Sequence, residues 1–137
     1  MAQIIAIANQ KGGVGKTTTA VNLGAYLAHL GKFVLLVDID PQANATSGLG
    51  IDHRQLPHGV YHALIGEKPF RDIVVGTRQP GYRVAPATED LSGARVELVN
   101  LEGRERRLAD ALLEVRNDYD YVLIDCPPSL DLLTVNG

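Results

Sequence analysis

The run "NQKGGVGKTTTAVN", from Asn9 to Asn22, holds three glycines, two lysines and three threonines. That mixture suits the capture of a polyphosphate. Gly12, Gly13 and Gly15 let the backbone turn tightly, and with Val14 between them they bring N–H groups onto phosphate oxygens. A helix starting at Lys16 adds the positive end of its dipole. Lys16 reaches toward the β- and γ-phosphates, the Thr17 hydroxyl can ligate Mg²⁺, and Thr18 is placed to donate to the α-phosphate. The run departs from the usual phosphate-loop pattern in one place. Gln10 stands where a glycine is expected, five residues before Gly15, and a second lysine, Lys11, follows it. A lysine opposite a polyphosphate can stabilise the charge that develops in phosphoryl transfer. The plainer reading is a glycine-rich turn that only joins strand to helix. Gly-Lys-Thr-Thr between a buried strand and an amphipathic helix speaks against it.

Three aspartates are candidates to serve that loop. Asp125 ends the apolar stretch Tyr121-Val122-Leu123-Ile124. An acid in that position beside a phosphate loop holds Mg²⁺, often through water; alone, it could equally cap the next turn. Asp38 and Asp40 lie two residues apart at another strand end, so their side chains point the same way. One could position Mg²⁺ or its water, and the other could orient an attacking water.

These residues need a frame. Ile4 to Ala8 is apolar without alternation, which predicts a strand buried on both faces of a parallel sheet. From Lys16, the residues Ala20, Leu23, Gly24, Leu27 and Leu30 recur at helical spacing, and Gly31 is a natural stop. Phe33 to Val37 predicts a second buried strand. Pro41 to Gly59 is polar and turn-rich, and reads as a loop. Val60, Ala63 and Leu64 predict a short helix closed by Gly66, and Tyr82 to Ala85 a short strand. Leu91 to Val99 is weakly helical, with Ser92 as its N-cap. Arg104 to Arg116 predicts a helix with Leu108, Ala111, Leu112 and Val115 on one face. Asp118 and Asp120 make a turn, and Tyr121 to Ile124 is the third buried strand. The segment "CPPSLDLLTVNG" begins as a loop and stops where a helix should start. The expected fold class is α/β, a P-loop NTPase with a mostly parallel doubly wound sheet. It is expected to be truncated after the Asp125 strand, because such sheets usually hold more than three or four strands. Residues 1–137 are then the N-terminal part of a single domain.

A chain of 137 residues is one domain or part of one. The net charge of −3 gives no global basic field for nucleic acid, though it leaves room for a local patch. The single cysteine excludes an internal disulfide framework and fits a reducing cytoplasm. "MAQIIAIANQ" has neither a basic n-region nor a long apolar run, so no signal peptide or membrane span is expected. His58 and His62 are four apart but lack a third ligand for zinc. His29 reads as a dipole neighbour at a helix C-terminus. Cys126 reads as a small buried side chain. Arg104, Arg106 and Arg107 read as a solvated face, and Tyr61 and Tyr82 as packing residues.

The three sites together resemble the ParA/MinD family of P-loop ATPases. "KGGVGKTT" at Lys11–Thr18 is similar to its deviant Walker A loop, and "VLLVDIDPQANAT" at Val34–Thr46 to its second motif and first switch. "YDYVLIDCPPSL" at Tyr119–Leu130 is similar to its Walker B strand and second switch. "ANQKGGVGKTTTAVNLG" followed by "DPQANATSGLG" is most like the chromosome- and plasmid-partitioning branch, ParA or Soj. The resemblance implies a cytoplasmic ATPase, nucleoid-associated when partitioning, that binds ATP and Mg²⁺. It implies an ATP-dependent homodimer in which Lys11 reaches across to the partner's phosphates and Gly12 permits the close approach. It makes Asp40 the residue that orients the hydrolytic water and puts Asp38 and Asp125 on the Mg²⁺ side. It further implies a ParB-like activator and non-specific DNA binding, largely through a C-terminal half beyond this sequence, with no stable membrane insertion. A MinD-like membrane-cycling ATPase is one alternative and would need a C-terminal amphipathic helix. An iron–sulfur carrier ATPase is another and would need a CxxC beyond Gly137.

Overall fold

Val34-Leu35-Leu36-Val37-Asp38 shows no alternation because both of its faces are covered, and every residue of it is buried. In the computed structural model, which describes residues 3–7, 14–39, 44–52, 58–64, 68–87 and 107–125, this segment is the middle of five strands. The strands are β1 (Gln3–Ile7), β2 (Val34–Asp38), β3 (Val75–Gly76), β4 (Tyr82–Ala85) and β5 (Tyr121–Asp125), in the order β1-β5-β2-β4-β3. The pairs β1–β5, β5–β2 and β2–β4 are parallel, and only the short β3 runs antiparallel to its neighbour. The helices are α1 (Val14–His29), α2 (Asn44–Gly48), α3 (Val60–Leu64), α4 (Phe70–Ile73) and α5 (Arg107–Leu113).

Strand side chains alternate between two packed layers. Val34 and Leu36 of β2, Leu123 of β5, and Tyr82 and Val84 of β4 pack with Ala20 and Ala28 of α1 and Ala45 of α2. Leu35, Val37, Val122 and Ile124 face the other way, onto Val60 of α3, Phe70 and Ile73 of α4, and Leu112 of α5. The middle of the sheet is covered on both faces, the doubly wound arrangement expected, but β1 is not buried as its sequence predicts: Gln3 and Ile4 are exposed and Ile5 and Ile7 half-buried at the sheet edge.

The long helix α1 ends as its sequence predicts. Gly31 takes a φ of 88°, its N–H donates to the Ala28 carbonyl, and the Lys32 N–H reaches back to the Leu27 carbonyl. That paired closure needs a left-handed residue, which glycine supplies without a steric penalty. His29 lies exposed in the last turn of α1, where a basic side chain suits the helix dipole. Tyr82 is buried as expected, and its hydroxyl donates to the Val21 carbonyl at 3.0 Å across the α1–β4 contact. A Cβ on Gly24 would land on the Tyr82 ring and hydroxyl, so this glycine makes room for the tyrosine.

Several expectations need correction. Phe33 is exposed and precedes β2; its N–H donates to the Asp120 carboxylate at 2.8 Å, and its carbonyl accepts from the Asp120 N–H. The predicted loop from Pro41 to Gly59 contains α2, and α4 and β3 appear where no element was predicted. α1 starts two residues before Lys16, and α5 ends at Leu113 rather than Arg116, where turns take over. Leu91–Val99 with Ser92, and likewise Gly66, Arg104, Arg106 and Cys126, lie outside the described residues. The same holds for the side chains of Tyr61, Arg107 and Leu108.

Candidate functional site

Parallel strands bring their carboxyl ends to one edge of the sheet, and there the candidate acids meet. In the registers, Ile7 stands opposite Asp125, and Asp125 opposite Asp38, so the ends of β1, β5 and β2 are abreast. Asp125 lies two residues beyond Leu123, and Asp38 two beyond Leu36; both therefore lie on the α1 side of the sheet. Both aspartates are fully buried. The crevice outside the carboxyl ends of such strands is the usual ligand position in open α/β sheets.

The phosphate-loop candidate connects to this edge. Residues 8–13 run from the end of β1 to the start of α1 at Val14. Gly15, Lys16, Thr17 and Thr18 are therefore helical backbone in the first turns of a 16-residue helix. The first N–H groups of a helix lack acceptors within it and carry the positive end of its dipole. Lys11, Gly12, Gly13 and Asp40 lie outside the described residues, as do the side chains of Val14, Lys16, Thr17 and Thr18. Asp40 directly follows Ile39, which is buried and donates its N–H to the Asp125 carbonyl at 3.2 Å.

Asp38 has a partner that sequence reasoning did not single out. Its Oδ2 accepts from the Thr46 N–H at 2.9 Å and from the Thr46 hydroxyl at 2.7 Å. The same hydroxyl oxygen accepts from the Ala87 N–H at 3.1 Å. Thr46 is fully buried in α2. A short hydrogen bond to a carboxylate, with the donor's lone pair engaged in turn, is a strong and directional arrangement. Thr46 falls within the Val34–Thr46 motif, but its tie to Asp38 gives no signal in sequence, because Thr46 is one small polar residue in a turn-rich stretch and its partners lie 8 and 41 positions away.

Carboxylates and a threonine hydroxyl are hard oxygen donors, the kind Mg²⁺ takes. Asp38, Asp125 and Thr17 fit such a group by their chemistry. With Oδ2 of Asp38 held by Thr46, the fit favours an indirect hold, through water, on the Asp38 side. His58 and His62 stack edge to face at 4.7 Å, and Nδ1 of His62 accepts from the Gly59 N–H at 3.0 Å. Among the described residues, no three His, Cys, Asp or Glu side chains gather as a metal cluster, and no helix is long and apolar enough to cross a membrane.

The profile of the AAA domain family (AAA_31) matches residues 2–137. The chain is 58% identical over 137 residues to the sporulation initiation inhibitor protein Soj of Bacillus subtilis (strain 168), covering all of this chain and 54% of that protein. It is 54% identical over 135 residues to the chromosome partitioning protein ParA of Myxococcus xanthus (strain DK1622), covering 98% of this chain and 48% of that one. Among solved structures, it superposes on cobyrinic acid a,c-diamide synthase from Mycobacterium smegmatis, with bound ATP analogue and magnesium. The TM-score is 0.95 at 46% identity, over 99% of this chain and 55% of that one. The chain spans about half the length of the curated relatives it matches.

Proposed function

This chain belongs to the AAA domain family, of the ParA/MinD type and in its ParA/Soj branch, and we propose that it binds Mg-ATP and hydrolyses it slowly to ADP and phosphate. The observation that carries the reading is the pair of buried aspartates, Asp38 and Asp125, abreast at the carboxyl edge and on the face of α1. Lys16, Thr17 and Thr18 with the Gly12–Gly15 backbone hold the phosphates in this reading. Thr17, Asp38 and Asp125 hold Mg²⁺, which when bound neutralises charge on the phosphate oxygens. Asp40 orients the attacking water, and Lys11 stabilises charge from the partner subunit of an ATP-dependent sandwich dimer.

Residues 1–137 are then the N-terminal part of one ATPase domain. Among the described residues β1 is paired on one side only, with β5, which leaves an edge that further strands would cover. The biological role proposed is chromosome or plasmid partitioning on DNA in the cytoplasm, with a ParB-like activator. The relatives named chromosome partitioning protein ParA, at 54% and 55% identity, support that branch.

The test is phosphate release by the full-length protein with Mg-ATP, alone and with DNA and the cognate ParB-like protein. Slow basal release, accelerated by both together and absent in Lys16→Ala, is expected. Release unaffected by Lys16→Ala would remove the ATPase assignment from this site.

A further inference from the structure

We infer that Thr46 is a positioning residue of this ATPase, setting the orientation of the Asp38 carboxylate on the Mg²⁺ side and tying it to the end of β4. The inference rests on the ATPase reading above and adds a residue to it. A hydroxyl has one proton and two lone pairs. The Thr46 hydroxyl spends its proton on Asp38 Oδ2, at 2.7 Å, and uses a lone pair to accept from the Ala87 N–H, at 3.1 Å. The Thr46 N–H gives Oδ2 a second donor, at 2.9 Å. Asp38, Thr46 and Ala87 are all fully buried, so water does not substitute for these bonds.

The carboxylate is thereby fixed about its own torsion, because two donors meet one of its oxygens from one residue. Asp38 stands beside Asp125 in the sheet register, so this torsion decides how Asp38 addresses the shared edge. The arrangement has the form of an outer partner that orients a metal-side carboxylate. Removal of such partners typically lowers metal affinity or activity about 10- to 100-fold. Thr46 also belongs to α2 and Ala87 follows β4, so a single hydroxyl couples three segments at the site.

Three forms of the full-length protein decide the matter: wild type, Thr46→Val and Thr46→Ser. Valine keeps the shape and removes the hydroxyl; serine keeps the hydroxyl and removes the methyl. Four quantities are read: amide exchange at Ala87 without nucleotide, ATP affinity, the Mg²⁺ concentration for half-maximal hydrolysis, and kcat. Thr46→Val is expected to speed exchange at Ala87 at least tenfold and to raise the Mg²⁺ requirement or lower kcat about 10- to 100-fold. ATP affinity is expected to stay within about threefold, and Thr46→Ser to restore all values to within about threefold of wild type. If valine opens the Ala87 amide while Mg²⁺ requirement and kcat stay unchanged, the proposal is overturned. It is also overturned if serine fails to rescue, since the methyl and not the hydroxyl then matters. Should the valine form not fold, Thr46→Cys, of similar size and a weak donor, takes its place. Failure of the underlying reading is told apart by wild type alone, which would then show no Mg-dependent hydrolysis and would take this proposal down with it.

Discussion

A carboxylate with two donors on one oxygen is held in place, and Asp38 is such a group. From sequence, its position at the end of an apolar strand is legible, and so is its pairing with Asp125 in a common motif set. Its tie to Thr46 is not, because a hydrogen bond across a turn leaves no periodic trace. Lys11 and Asp40 stand on spacing and resemblance alone and lie outside the described residues. Two outcomes follow from their assigned parts. Asp40→Ala should bind ATP within about threefold of wild type while losing about a hundredfold in kcat, since a positioned water-activating group contributes on that order. Equal turnover in the two proteins would sink the assignment. Lys11→Ala should still bind ATP as a monomer but lose the ATP-driven dimer, which sedimentation velocity with and without nucleotide reads directly. A dimer that forms as in wild type would show that Lys11 does not reach across the interface.

At the scale of elements, β2 and β5 are legible because each is an unbroken apolar run, buried along nearly its whole length. The elements α2, α4 and β3 are not legible, being 5, 4 and 2 residues long and held from elsewhere in the chain. Asp38 holds α2, and the Arg71 N–H of α4 donates to the Glu114 carboxylate at 2.7 Å. The Arg71–Asp118 ion pair at 2.9 Å is largely exposed, so it adds at most about 1 kcal/mol. The contact between α1 and β4 makes a sharper case. Gly24→Ala improves helix propensity by about 1 kcal/mol, yet its Cβ collides with buried Tyr82. Overpacking of about 1–3 kcal/mol should win, so denaturant melts should show net destabilisation. In a Tyr82→Leu background the same glycine change should turn neutral or stabilising, a coupling that a double-mutant cycle measures. Tyr82 also sets an alkaline limit. Its burial raises the hydroxyl's pKa well above the ordinary 10.0, so the folded chain keeps the proton more tightly than the unfolded one. The sign follows: this stabilisation is whole below pH 10 and is lost as pH climbs toward the raised value. Tyr82→Phe should cost about 1 kcal/mol at neutral pH, through the lost bond to Val21, and should flatten the fall in stability above pH 10.

At the scale of the whole molecule, the candidate site joins pieces from both ends of the chain. Ile7 at the end of β1 and Asp125 of β5 are separated by over a hundred residues, and the parallel β1–β5 pairing brings them abreast. A ligand that spans them stabilises the folded state by bridging segments that the unfolded chain holds apart. Linkage gives the size: at a hundredfold excess over its Kd, Mg-ATP should add about 2.7 kcal/mol. For a protein of the relatives' length, about twice that of this chain, that is a rise in Tm of roughly 5–10 °C. Lys16→Ala should abolish most of the rise, because the phosphates lose their lysine. Asp40→Ala should keep it, because the proposed role of Asp40 begins only after binding. Asp125→Asn should keep the rise produced by ATP alone but lose the increment that Mg²⁺ adds, since the amide is a weaker partner for a cation than the carboxylate. If all four proteins instead share one Tm shift with Mg-ATP, the nucleotide binds elsewhere, and the edge where Ile7, Asp125 and Asp38 meet is a structural junction rather than a phosphate site.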